Sequence, residues 1–234
     1  MAVRIAVLGD IHGNALALAA ALDGAAREGV DALCLTGDYV GYYYHPKEVF
    51  ALLAPWTKHM VRGNHEDMLA RAENDASYLA RCTARYGKGL GRALEMLDAG
   101  QLASLRALPT RLDLNLDGRQ VVLAHGAPWS TDEYLYPDAP EEVWARVAAG
   151  GADFVLLGHT HYRHIRQVGD TTVINPGSVG QPRDRSPGAC WALLDTGTGG
   201  VQLFVEPYDV AAVSDEARRL DPELAYLHEV LNRQ

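Results

Sequence analysis

Residues 3–8, 121–124 and 154–157 are short apolar runs rich in β-formers, and each ends directly in a cluster of metal-ligand side chains. The first runs into Gly9-Asp10-Ile11-His12-Gly13-Asn14, the second into His125-Gly126 and the third into Gly158-His159-Thr160-His161. Two more clusters, Gly37-Asp38-Tyr39 and Gly63-Asn64-His65-Glu66, also sit where a strand should stop. Open α/β sheets place their ligands off the carboxyl ends of their strands. As ligand candidates the clusters offer Asp10, Asp38, Asn64 and five histidines. A tetrahedral structural zinc needs only four ligands and usually recruits Cys. The set suits two metal ions sharing one carboxylate, with one imidazole left for chemistry.

The remaining pattern predicts the elements between these clusters. Asn14 caps an alanine- and leucine-rich helix over 15–27 that ends near Gly29. Residues 31–36 read as the next strand, Pro46 opens a helix to about residue 53, and 59–62 read as a strand leading into Gly63. Residues 75–98 are helical, with Gly87, Gly89 and Gly91 as weak points. A short helix from about residue 102 stops at Pro109. The second half changes character. Asp117-Gly118, between 111–116 and 120–124, is a type I′ hairpin signal. A helix is expected over 139–149. Two further antiparallel hairpins are expected, 165–168 with 171–174 and 190–195 with 201–206. Two sheets face to face with helices outside satisfy both halves. Residues 210–232 read as a polar helical tail divided at Asp221-Pro222. One domain is expected over 1–234, with a core to 206 and a tail over 207–234.

Composition excludes several classes. At 234 residues and 48% apolar content, the chain can bury a full core. A net charge of −9 argues against general nucleic-acid binding, which wants a basic face. Cys34, Cys82 and Cys190 are isolated and odd in number, which predicts free thiols in a reducing compartment. The first residues read as a buried strand and not as a leader, and no apolar stretch approaches membrane-spanning length. A cytoplasmic protein without membrane contact is expected; homo-oligomer formation stays open.

In their order, and with the run Asn175-Pro176-Gly177-Ser178-Val179-Gly180-Gln181-Pro182-Arg183, the five clusters resemble the calcineurin-like metallophosphoesterase superfamily from residue 3 to about 204. The chain looks most like its small bacterial phosphodiesterase branch. The resemblance implies an α/β fold, a four-layer α-β-β-α sandwich of two mixed sheets flanked by helices. It implies two divalent metal ions, with Asp10, His12, Asp38 and His161 on one and Asp38, Asn64, His125 and His159 on the other. Asp38 suits the shared position because a carboxylate has two oxygens and can span ions about 3.5–4 Å apart. Manganese is the first choice for this donor set, with iron, nickel and zinc open. His65 is implied to be a non-ligand that protonates the leaving oxygen or stabilises transition-state charge. Glu66 or Asp67 would orient it, although Glu66 also suits a helix start.

The activity so implied is attack of a metal-bridging hydroxide on a small or cyclic nucleotide-like phosphodiester. The substrate contacts expected are Arg183, which can grip a phosphate oxygen bidentately, Tyr42, which can stack a base, and Asn14. Arg62 is a second loose cation, and ordinary packing is the competing account of Tyr39, Tyr42, Tyr43 and Tyr44. Protein serine/threonine phosphatases carry Asp-Arg-Gly after the Gly-Asp-Tyr-Val matched at 37–40; here Gly41-Tyr42 follows. The missing clamp disfavours phosphoproteins and favours diesters. Hydrolysis of a dinucleoside polyphosphate is the alternative, and a basic rim beyond Arg62 and Arg183 would favour it. A non-catalytic scaffold of the same fold is disfavoured by the complete ligand set.

Overall fold

The computed structural model describes residues 3–233. The N-terminal part is β1 (Arg4–Leu8), α1 (Ala15–Arg27), β2 (Ala32–Leu35), α2 (Pro46–Leu53) and β3 (Lys58–Met60). Four helices follow: α3 (Asn64–Ala72), α4 (Ala76–Tyr86), α5 (Gly89–Met96) and α6 (Ala99–Ala107). The second half contributes β4 (Arg111–Leu116), β5 (Arg119–Ala124), α7 (Glu141–Ala148), β6 (Phe154–Leu156), β7 (Arg163–Val168), β8 (Thr171–Pro176), β9 (Ala189–Asp195) and β10 (Val201–Glu206). The tail is α8 (Val210–Leu220), α9 (Tyr226–Glu229) and a 3₁₀ turn, Val230–Asn232.

Two five-stranded mixed sheets result, in the orders β10-β9-β1-β2-β3 and β4-β5-β6-β8-β7. The two halves of the chain are not segregated between them. The β9–β10 hairpin returns to pair antiparallel with β1, whereas β5, β6 and β8 run parallel inside the second sheet. Strand alternation builds the layers. Ile5 and Val7 of β1 meet Val121, Leu123, Phe154 and Leu156 between the sheets, while Ala6 and Leu8 face the α1 side with Leu18 and Ala21. Val122 and Val155 point the other way, onto Trp144 of α7. The order across the molecule is therefore helices, sheet, sheet, helix. The central strands β1, β2, β5, β6, β8 and β9 are buried on both faces along most of their length, which is why they read as continuous apolar runs, whereas the edge strands β4, β7 and β10 alternate with exposed residues.

Local signals account for most boundaries. Asn14 caps α1 through Ala17 N–H, and Asp75 caps α4 through Tyr78 N–H. Asp117 and Gly118 both have positive φ, 54° and 85°, as a type I′ turn requires. Helix α6 starts at Ala99, earlier than expected, because Asp98 and Gln101 form a reciprocal capping box. The tail packs over the tyrosine loop: Tyr43 donates to Leu227 O at 3.0 Å and Tyr44 to Asp221 Oδ2 at 2.8 Å. Cys34, Cys82 and Cys190 are free and buried. Among the described residues no helix is long and apolar enough to cross a membrane.

Candidate metal centre

The loops that follow β1, β2, β5 and β6 converge with the N-terminus of α3 on one point. Asp10, His12, Asp38, His125, His159 and His161 are all buried there. Asp10, His12 and His161 form one group with ligand atoms within 4.8 Å of one another, and Asp38, His125 and His159 form another. His161 Nε2 lies 3.3 Å from Asp10 Oδ1 and 3.1 Å from His12 Nε2. On the other side, His125 Nε2 lies 3.4 Å from Asp38 Oδ2 and 3.0 Å from Asn64 Oδ1. Asp38 Oδ2 is also 3.7 Å from His12 Nε2, so this one carboxylate stands between the groups.

Sharp turns bring side chains two residues apart to the same place. Asp10, His12, Asp38, His159 and His161 all have left-handed backbones, with φ between 53° and 68°. Such a conformation costs on the order of 1–3 kcal/mol for a non-glycine residue and persists only where its surroundings enforce it. Here they do. Ile11 and His12 N–H both bond to Asp38 O, Gly180 N–H bonds to Asp10 O, and His159 N–H reaches the Asp10 carboxylate. Ser178 Oγ donates to Asp10 O, and Asn175 Nδ2 donates to Gly158 O and Thr160 Oγ1. The Asn175–Arg183 run is thus the brace of the centre. Gly180 is needed in it because a Cβ there would lie 2.0 Å from Ile11 O.

The imidazoles are prepared as ligands. His12, His125 and His161 hold Nδ1 at 3.2, 2.8 and 2.6 Å from the carbonyls of Val40, Thr36 and Gln181, which directs the Nε2 lone pair inward. Burial lowers the pKa of His12 and His161 and pushes His159 down to about 4, which favours the neutral, ligating form of each ring. Burial also acts on His125, but the Asp38 charge and hydrogen bond outweigh it and push His125 up to about 10. Burial alone would raise Asp38, yet His125 and His65 hold its carboxyl well below the usual range. His159 Nε2 is buried without a hydrogen-bond partner. The donor set, the inward lone pairs and this orphaned nitrogen all fit divalent ions.

His65 opens α3 beside the centre, with a ring nitrogen within 4.8 Å of ligand atoms of His12 and Asp38. Its Nδ1 is buried and unpartnered. Gly41, at φ 98°, makes room for it, since a Cβ there would lie 2.0 Å from His65 Nδ1. Glu66 does not orient His65. Its carboxylate accepts from Asp38, Tyr39 and Gly63 N–H, each at 2.8 Å, and so ties the Asp38 turn to the start of α3. Asp67 instead pairs with Arg62 at 3.1 Å, which takes Arg62 out of the site.

Of the expected substrate contacts, Arg183 is at the centre. It lines a small pocket of about 30 Å³ with Asp38, Asn64, His65, His159 and His161. Tyr42 reaches the same pocket but is only 8% exposed, edge-on to His12 and accepting a 3.0 Å bond from Arg183. It holds Arg183 and has no open face for a base. Asn14 does not line this pocket: Oδ1 caps α1, and Nδ2 donates to Gly180 O and Tyr208 Oη. Two aromatic residues of the mouth escaped the sequence reading. Tyr86 and Tyr134 line the pocket. Tyr134 is 49% exposed, lies 4.0 Å from the His159 ring and stacks at 14° on Tyr136. Isolated tyrosines in a helix and a loop carry no motif that would have singled them out.

The profile of the calcineurin-like phosphoesterase superfamily domain matches residues 3–199, and the chain belongs to that superfamily. The match makes it a hydrolase of phosphoric esters that uses divalent metal ions. An uncharacterized protein of Methanocaldococcus jannaschii is 28% identical over 224 residues, 88% of each chain. A metallophosphoesterase from Sphaerobacter thermophilus is 27% identical with a TM-score of 0.77, over 98% of this chain and 99% of its own. A hypothetical protein from Pyrococcus horikoshii is 25% identical with a TM-score of 0.86, over 99% and 98%.

Proposed function

We propose that the protein hydrolyses a small, nucleotide-like phosphodiester with two divalent ions. One ion would be held by Asp10, His12, Asp38 and His161, the other by Asp38, Asn64, His125 and His159. The observation that carries this reading is the pair of buried carboxylate–histidine groups on either side of Asp38. Bound divalent ions supply Lewis acidity and neutralise charge on phosphoryl oxygens. Manganese suits a set of oxygens and imidazoles that contains no thiolate. The chain's own residues supply the rest. Arg183, steadied by Tyr42 and Gln181, presents its guanidinium to a phosphoryl oxygen. His65 stands where it can give a proton to the departing oxygen. Burial lowers its pKa, and a phosphate beside it would favour its charged form again. One arginine over the centre matches the single negative charge of a diester. The three buried thiols support a reducing, cytoplasmic setting.

Metal-stripped protein reloaded with Mn²⁺, Ni²⁺, Zn²⁺ or Mg²⁺ tests the reading on paired aryl diesters and monoesters. Higher kcat/KM on the diesters is expected. A monoester preference across several pairs would sink the diester assignment, and no turnover with any metal would sink the enzyme assignment.

A further inference from the structure

A cleft of about 730 Å³ opens beside the metal pocket and shares Asn64, Tyr86 and Tyr134 with it. Arg71 in the last turn of α3 and Arg81 and Arg85 of α4 line it. Arg81 and Arg85 are four apart, hence on one helix face. The chain as a whole is acidic, and most of its arginines sit within 4 Å of a carboxylate, as in Arg4–Glu28, Arg106–Glu73, Arg119–Asp153 and Arg163–Asp184. Among the described residues, Arg71, Arg81 and Arg85 have no carboxylate at ion-pair distance. Ring faces hold them instead. Arg71 lies 4.1 Å and Arg81 5.7 Å from the Tyr78 centroid, and Arg85 lies 5.0 Å from that of Tyr86. Stacking fixes a guanidinium plane while leaving its N–H edge free, apart from one bond from Arg81 to Ser77. The acidic residues of the cleft are Asp67, already paired with Arg62, and the exposed Asp132. Tyr86 joins the two regions, with its ring centroid 6.1 Å from that of His65 and 6.2 Å from that of Tyr42.

We infer that this cleft receives a second phosphate carried by one arm of the substrate, so that the preferred ester bears an anionic group beyond the one hydrolysed. The inference rests on the phosphodiester reading and narrows its substrate class; the same basic rim also suits the dinucleoside polyphosphate alternative, which faster turnover of a dinucleoside tetraphosphate than of the phosphate-bearing diester would favour instead. A neutral diester would leave the free N–H edges of three guanidinium groups without an anion to meet. A phosphate on the arm would meet several charge-assisted donors.

The test uses two nitrophenyl alkyl diesters that differ only at the end of the alkyl arm, a hydroxyl in one and a phosphate in the other. In the metal-loaded wild type, kcat/KM is expected to favour the phosphate-bearing ester at least tenfold, mainly through KM. That ratio should fall toward one in high salt and in the combined Arg71→Gln, Arg81→Gln, Arg85→Gln variant. A wild-type ratio near one, or a ratio unchanged in the variant, overturns the inference. Calorimetric titration with inorganic tripolyphosphate in the presence of EDTA reads the cleft without turnover. Binding at least tenfold weaker in the variant supports the cleft even if no diester is hydrolysed, an outcome that would remove the phosphodiester reading alone. Equal or absent binding there counts against the cleft whatever the turnover.

Discussion

The metal cradle and the arginine cleft share a rim, yet they are held by opposite means. In the cradle six of the seven candidate ligands are buried and Asn64 is half-buried, five of them sit in left-handed backbone, and carbonyls hold Nδ1 of three rings. In the cleft the functional groups are exposed ends of long side chains, steadied by tyrosine faces. An ion tolerates little error in ligand position, so the cradle spends strain on fixing a few atoms. An anionic arm varies in length and angle, and flexible guanidinium groups can follow it. Substitutions in the cradle should therefore act on metal content and on every substrate. Those at the rim should act on particular substrates.

The hardest test of the cradle is Asp38→Asn, because its carboxylate stands between both ligand groups. An amide is a poorer bridge. Loss of at least one ion is expected, with turnover lowered by about 10³-fold or more, given that Lewis-acid assistance is worth several kcal/mol. Metal analysis of the purified variant checks it. Two tightly held ions with normal turnover would mean that Asp38 does not bridge.

His65→Ala separates chemistry from coordination at the cradle wall. The ring lies close enough to His12 and Asp38 to be a ligand, so geometry alone does not assign its role. As a proton donor it should leave both ions bound and cost about 10²–10⁴-fold in rate. The loss should be smaller with nitrophenolate, which leaves unaided, than with an alkoxide. Metal loss in the variant would instead make His65 a ligand.

Glu66→Gln tests the support beneath the ligands. The buried carboxylate accepts three backbone N–H groups, and an amide oxygen cannot replace both of its oxygens. Metal affinity should fall about 10–100-fold, as for other groups that orient ligands, with roughly 1.5–3 kcal/mol of stability lost. Unchanged metal titration and melting would remove Glu66 from that role.

The cradle was legible in the sequence because its strands are buried on both faces and stop at polar clusters. The hairpin at Asp117-Gly118 and the α1 cap at Asn14 were legible as local backbone chemistry. At Asn14 the local cap explains only Oδ1; Nδ2 is engaged by Gly180 O and Tyr208 Oη, partners far along the chain that no local pattern names. Glu66 was ambiguous because its partners, Asp38 and Tyr39, come from a distant loop. The arginine cleft was hidden for a different reason. Exposed arginines four apart on a helix read as a solvated face, and only the fold brings them beside the metal pocket. The return of β9 and β10 to the first sheet was equally out of reach, since a hairpin signal does not name the strand beside which it will lie.

The smallest expected effect lies at the rim, between two tyrosines. Tyr42 is buried against His12 and Arg183, whereas Tyr134 offers an exposed face backed by Tyr136 and lies directly over His159. If the substrate carries a base, Tyr134 is the shelf for it. Base–aromatic stacking is worth roughly 1–3 kcal/mol by alanine substitution in single-strand binders. Tyr134→Ala should therefore raise KM for a nucleotide diester about tenfold, and much less for a small aryl diester. Tyr42→Ala should weaken both substrates together, because it releases Arg183 from the centre. The pattern of the two variants over the two substrates carries the test. Equal effects of Tyr134→Ala on both esters would assign that ring to packing on His159, and a nucleotide-selective effect of Tyr42→Ala would return the base to the buried tyrosine.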